Sequence, residues 1–177
     1  GEVLAKNPND TRAAFYLAST YLWAGRHGEA VEAFRRRIAL GGWHEEVYQS
    51  MYNLAEASEK RGDPWPGVMT LYLDAHAFLP HRAEPLYRIA LHYNARGEHA
   101  LCMVFARRAA DLPYPTQDVL FIDAEVYACG IHDLIGTSAY FVGAFALGEE
   151  HARKALAHRP DDPRLKQNLA YYIDRKR

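Results

Sequence analysis

Apolar side chains along this chain recur at the spacing of one helix face, and each such run ends at a glycine. Gly25, Gly62, Gly97 and Gly143 mark those ends. Eight residues before each stands a large apolar residue (Leu17, Leu54, Ile89, Ile135), followed at once by a small one (Ala18, Ala55, Ala90, Gly136). Four before each comes Tyr21, Ser58, Tyr93 or Ala139, so one face repeats at i, i+1 and i+4, as a period of 3.6 requires. A small residue is needed where two helix backbones cross closely. Five residues after each glycine are Ala30, Gly67, Cys102 and Gly148, which predicts the matching close contact on a second helix. Ala109 and Ala155 keep that pattern further along the third and fourth pairs, while Arg37 and Asp74 depart from it in the first two.

Start and stop signals divide the chain consistently with this face. Proline cannot continue a helix, and Pro80, Pro113 and Pro160, with Gly42 in their place early on, end the second helix of each pair. Asp10 is an N-cap candidate, and Asp63-Pro64 supplies a cap followed by a proline suited to a first helical turn. Asp161-Asp162-Pro163 opens a last helix whose stripe is Leu165, Leu169, Tyr172 and Ile173. The predicted layout is helix pairs at about 10–40, 44–79, 82–112 and 124–158, and a capping helix at 163–174. Residues 2–6 read as the tail of a preceding helix, so the chain is expected to be a piece cut from a longer array. Trp23, Trp43 and Trp65, all near helix ends, are expected to wedge successive pairs.

The marker glycines are 37, 35 and 46 residues apart, two of them close to the roughly 34-residue period of tetratricopeptide repeats. With the agreeing flanks, the chain resembles that family over nearly its whole length. The resemblance implies an all-α fold, an α-solenoid of about four antiparallel helix pairs plus a capping helix, forming one superhelical domain over 1–177. It also implies that the first helix of each pair lines a concave groove. On that register the groove carries Phe15, Tyr16 and Ser19, then Tyr52, Asn53 and Glu56, then Tyr87, Arg88, Leu91 and Asn94, and finally Tyr140. Phe15, Tyr52 and Tyr87 share one offset and read either as an aromatic ladder along the groove or as ordinary core. Aromatic bodies with polar tips suit a peptide or a partner helix, and would also suit sugar rings. Domains of this family that clamp acidic chaperone tails use lysine, arginine and asparagine. Asn53 and Arg88 match that set, but Phe15, Ser19 and Glu84 replace its other members, and Glu56, Glu59 and Glu84 would repel such a tail.

Four stretches carry a second resemblance, Arg12–Gly25, Arg37–Tyr48, Arg82–Tyr93 and Pro113–Tyr127. They are similar to the helical region that follows the catalytic domain in bacterial family 2-type glycosyltransferases bearing tetratricopeptide repeats, over roughly residues 5–145. Ala128-Cys129-Gly130 stands where that group has a Trp-Arg pair, and Leu134 where an acidic residue is expected. Such a transferase domain has alternating strands and helices and an Asp-x-Asp metal motif, none of which this sequence contains. Its adjacent acidic pairs, Glu45-Glu46, Glu149-Glu150 and Asp161-Asp162, fall near helix starts, where carboxylates favour the macrodipole.

Composition narrows the chemistry further. Half of the 177 residues are apolar, which excludes wholesale disorder, and 21 basic against 22 acidic side chains leave no surplus field for nucleic acid or an anionic membrane. Cys102 and Cys129 lack the spacing of a zinc or redox site and read as small buried residues. The nine histidines form no HExxH motif, so no metal or other cofactor is expected. Ser19, Ser50, Ser58 and Ser138 lie within predicted helices, Cys129 and His132 are only helical neighbours, and no catalytic residue is assigned. Arg35-Arg36-Arg37 reads as a solvated face. The segment from Tyr114 to Val126, with Leu120, Phe121 and Ile122, accounts for the long spacing and is expected to fold over the groove edge or dock a neighbouring domain. The expected function is a non-enzymatic scaffold binding a protein or peptide in its groove. The alternative is an accessory region of a glycosyltransferase that docks on the catalytic domain, self-associates or positions an acceptor. The two free thiols favour the cytoplasm.

Overall fold

The computed structural model describes residues 7–175, and the helical tail expected at 2–6 lies outside them. Nine α-helices and no strand are found among the described residues: α1 (Thr11–Trp23), α2 (His27–Ala39), α3 (His44–Arg61), α4 (Trp65–Phe78), α5 (Glu84–Ala95), α6 (His99–Ala110), α7 (Ile131–Phe141), α8 (Phe145–His158) and α9 (Pro163–Asp174). One π-helical turn, Val126–Gly130, runs directly into α7. The described residues form two compact units, one of residues 7–80 with 116–121, the other of residues 81–115 with 122–175.

The marker glycines take left-handed φ values between 71° and 86°. Their role is visible in the hydrogen bonds that follow them. The amides of Arg26, Asp63, Glu98 and Ala144 donate back to the carbonyls of Tyr21, Ser58, Tyr93 and Ala139, at 2.9 to 3.1 Å. This closes each first helix with the six-to-one bond of a Schellman turn, which needs a residue at positive φ and therefore favours glycine. Asp10 caps α1 by accepting from the Ala13 amide at 2.8 Å, and Asp162 caps α9 by accepting from Arg164 and Leu165. Arg61 and Ser58 hydrogen-bond to Asp63 and lower its carboxyl pKa to about 2.

In the first unit the core lies between α1, α2 and α3, with Ala18, Ala30, Phe34, Leu54 and Ala57 in one cluster. The small positions Ala18, Ala30 and Ala55 have no exposed surface, as a close helix crossing requires. Gly67 departs from the pattern, since a methyl there would meet nothing within 4 Å. Trp23 is 75% exposed and Trp43 is also exposed, so neither is wedged between pairs as expected. Arg37 is corrected as well. It is fully buried, not solvated, donating to Glu46 through Nε (2.9 Å) and Nη2 (2.6 Å) and to the Gly41 carbonyl through Nη1 (2.7 Å).

In the second unit α5 packs on α6, α6 on α7, α7 on α8 and α8 on α9. Gly136 lets α7 approach the Ala152 backbone, where a methyl would come within 3.1 Å. Tyr172 of α9 lies against Gly148 of α8 and donates its hydroxyl to the Gly136 carbonyl of α7 at 2.7 Å, tying the last helix to both members of the preceding pair. Burial pushes the Tyr172 phenol up to about 12. A Gly148→Ala methyl collides with this ring, which is itself buried and anchored. Overpacking of about 1–3 kcal/mol is expected to outweigh the helix-propensity gain of about 1 kcal/mol. Thermal unfolding and amide exchange in α9 check this, with faster α9 exchange and a lower midpoint expected; a midpoint at or above wild type would contradict it.

Candidate functional site

The expected groove positions in the first unit are held in different ways. Tyr16 is exposed on α1, beside Phe15 in an edge-to-face pair at 5.9 Å. Phe15 itself is only 4% exposed, and Ser19, one turn on, is 1% exposed with no hydrogen-bond partner for its hydroxyl. These two therefore do not stand open to a ligand. The Phe121 ring lies beside Phe15, stacked at 6.1 Å with an interplanar angle of 26°. On α3, Tyr52 is half-buried between Tyr48 (6.5 Å, stacked) and Tyr72 of α4 (5.7 Å). Asn53 accepts from Gln49 at 2.9 Å, and Glu56 pairs with Lys60 at 2.7 Å.

Residues 116–121 belong to this unit although the chain on either side belongs to the other. They are held by Glu45, whose Oε2 accepts from the consecutive amides of Val119 and Leu120, each at 2.8 Å. Glu45 sits in the first turn of α3, where the helix dipole favours a carboxylate even in its buried state. The acidic pair read as a simple helix-start signal thus has two separate tasks. Glu46 neutralises Arg37, and Glu45 binds backbone. Neither burial nor partner was legible from the pair itself.

In the second unit Tyr87 and Arg88 lie half-buried on α5. Burial raises the Tyr87 phenol pKa, with the Arg88 charge acting in the opposite direction. The Tyr87 ring rests on the π-helical turn, where a methyl on Gly130 would come within 2.9 Å of Cε2. Gly130 is therefore what gives this aromatic its seat. Asn94 accepts from the Ser138 hydroxyl at 3.1 Å, and Ser138 Oγ lies 3.1 Å from His99 Nδ1. Ser138 of α7 is thus linked by hydrogen bonds to Asn94 of α5 and to His99 of α6. His99 also stacks on Phe141, ring centres 4.0 Å apart. Tyr140 and Phe141, with Gly136, Thr137, Asn168, Tyr171 and Tyr172, line a cavity of about 290 Å³ between α7 and α9.

Arg82 and Glu84 form the second buried ion pair, at 2.8 Å. Glu84 accepts in addition from the Tyr127 hydroxyl at 2.8 Å, which itself accepts from the Ala83 amide at 3.0 Å. Burial beside this carboxylate raises the Tyr127 phenol far above its ordinary value. Asp133 of α7 is bound by both terminal nitrogens of Arg164 from α9 at 2.8 and 2.7 Å. His132 and His151 meet Nδ1 to Nδ1 at 3.0 Å. Among the described residues no three metal-ligating side chains converge. Both cysteines are buried free thiols whose pKa values burial raises.

No family model and no curated protein matches the sequence. The fold has clear relatives among solved structures. MamA superposes with a TM-score of 0.66 at 19% identity, covering 90% of this chain and 84% of MamA. A putative kinesin light chain of Podosopora anserina with nearly identical TPR-like repeats gives 0.61 at 17%, covering 95% and 87%. A thermophilic TPR protein of Thermus thermophilus, TTC0263, gives 0.52 at 20%, covering 97% and 86%. At such identities the likeness is one of fold, an all-α solenoid of tetratricopeptide-type helix pairs.

Proposed function

We propose that this chain is a non-enzymatic interaction scaffold that binds a protein or peptide through the first helices of its pairs. One observation carries the reading. Tyr16, Tyr52, Asn53, Tyr87, Arg88, Leu91 and Tyr140 are left partly accessible on those helices, while Arg37 with Glu46 and Arg82 with Glu84 form buried ion pairs. Large, stiff aromatics with a few amides and one guanidinium are the composition of binding hot spots. Tyr52, Tyr87 and Arg88 are the residues on which the reading depends most. Combining Tyr52→Ala with Arg88→Ala is expected to weaken capture of partners recovered by pull-down at least about tenfold, as loss of two hot-spot side chains does. Unchanged capture of every partner refutes the assignment.

A second reading, an accessory region of a glycosyltransferase, is favoured by the four stretches from Arg12, Arg37, Arg82 and Pro113. In it the scaffold docks on a catalytic domain, self-associates or positions an acceptor. A reading frame that encodes further repeats upstream of Gly1 removes it, and light scattering tests the self-association. Among the described residues no helix is long and apolar enough to cross a membrane.

A further inference from the structure

We propose that His132 and His151 form a two-histidine site for a transition-metal dication of tetragonal preference, Cu²⁺ or Ni²⁺, which clips α7 to α8. The inference is independent of the scaffold reading, because it concerns the contact inside the last helix pair.

The geometry carries it. The two Nδ1 atoms stand 3.0 Å apart, on rings inclined at 68° with centres 4.9 Å apart. An ion bonded to both at about 2.0–2.1 Å, the ordinary metal–imidazole length, sees nitrogens 3.0 Å apart at roughly 90–100°. That is the angle between neighbouring ligands of a square or octahedral ion. Tetrahedral Zn²⁺ needs the two nitrogens moved further apart. Imidazole donors in a tetragonal arrangement select Cu²⁺ or Ni²⁺, and Cu²⁺ heads the affinity order of the first-row dications.

The protonation state agrees with this. Burial, then His132 and Lys154, lowers the His151 pKa to about 4, and burial, then Lys154, lowers that of His132. Both rings are therefore neutral at pH 7, and neither must give up a proton to become a ligand. Without metal, one Nδ1–H donates to the other Nδ1. Once that proton has moved to Nε2 of its own ring, both lone pairs are free for the ion. They then displace two waters of the hydrated dication, with no net release of protons. The Lys154 ammonium, which would oppose a cation, donates to Glu150 at 2.6 Å and is neutralised there. His132 is only half-buried and borders a cavity of about 390 Å³, so the pair is not sealed from solvent. Among the described residues no third ligating side chain converges, and water completes the coordination.

The test titrates the full chain, stripped with a chelator, with NiCl₂ and CuCl₂ in a calorimeter at pH 7.5. His132→Gln and His151→Gln are each expected to weaken the tightest site at least about tenfold, since each removes one of two ligands. His44→Gln, at an exposed histidine of the first unit, is expected to leave it unchanged. The ion should also raise the thermal midpoint of wild type and not that of either pair variant. Binding that survives both pair substitutions, or that falls equally in His44→Gln, is adventitious and overturns the proposal. Zn²⁺ bound more tightly than Ni²⁺ overturns the tetragonal assignment. Should the pair variants fail to fold, the wild-type chain decides. Substoichiometric Cu²⁺ must broaden the backbone resonances around His132 and His151 before those around His44, and the opposite order overturns the proposal.

Discussion

Replacing Arg82 with methionine is expected to lower the unfolding free energy by about 3–5 kcal/mol, as breaking a buried ion pair from one side does. The guanidinium is 1% exposed and donates to both oxygens of Glu84 at 2.8 to 3.1 Å. Without it Glu84 keeps only the Tyr127 hydroxyl at 2.8 Å and the longer Asp123 amide contact at 3.4 Å, which do not neutralise a buried carboxylate. The cost therefore comes from the charge left behind. Arg82→Met combined with Glu84→Gln should recover a large part of the loss, because the amide still accepts a hydrogen bond and carries no charge. Chemical denaturation of the three variants measures the cycle. If the double variant is no more stable than Arg82→Met alone, packing of the arginine stem, not charge, is what matters there.

Acid is expected to weaken the fold through the histidine pair. His151 is 7% exposed, and burial, with His132 and Lys154 nearby, lowers its pKa to about 4; Glu150 acts against this. His132 is lowered in the same way, first by burial and then by Lys154. Above about pH 6.5 both rings are neutral in the folded and unfolded chain, and one Nδ1–H donates to the other Nδ1. Between that pH and about 4 the unfolded chain takes up a proton on His151 that the folded chain refuses. Stability is thus full at neutral pH and falls as pH drops through this window, by on the order of 3 kcal/mol for His151 alone. Denaturation midpoints from pH 7.5 to 4 for wild type and His151→Gln check this. The variant should show a shallower decline, and parallel curves would rule out the pair as the cause.

The repeat was legible because one residue type does one job at fixed spacing. Gly25, Gly62, Gly97 and Gly143 each supply the positive φ that a Schellman turn demands, so glycine marks the same place four times. The aligned small residues Ala18, Ala55 and Ala90 follow from backbone approach and are equally regular. Tertiary pairing is not periodic, and there the sequence was silent. Arg37 looks identical in kind to Arg35 and Arg36, yet Arg37 is buried because Glu46 lies nine residues on and faces it. His132 and His151 carry no motif, since the contact is between two helices. The same holds for Ser19, whose inner-face register was readable but whose burial was not, while the burial of Phe15 agrees with the reading of that position as ordinary core and only its contact with Phe121 was hidden. An aromatic cover from a segment about a hundred residues away leaves no trace in local pattern. The insert around Phe121 stood out only as excess length with apolar content, without its anchor on Glu45.

That anchor also bears on the order in which the protein is made. The hydrogen bonds from Val119 and Leu120 to Glu45 span 74 and 75 residues, far longer than the helix-to-helix contacts of a repeat. A ribosome must therefore synthesise residues 81–115 of the second unit before the last piece of the first unit exists. During that interval the nascent first unit carries Glu45 without its two amides and Phe15 without its cover. A chaperone or a partner encountering the growing chain meets a face that the finished molecule hides.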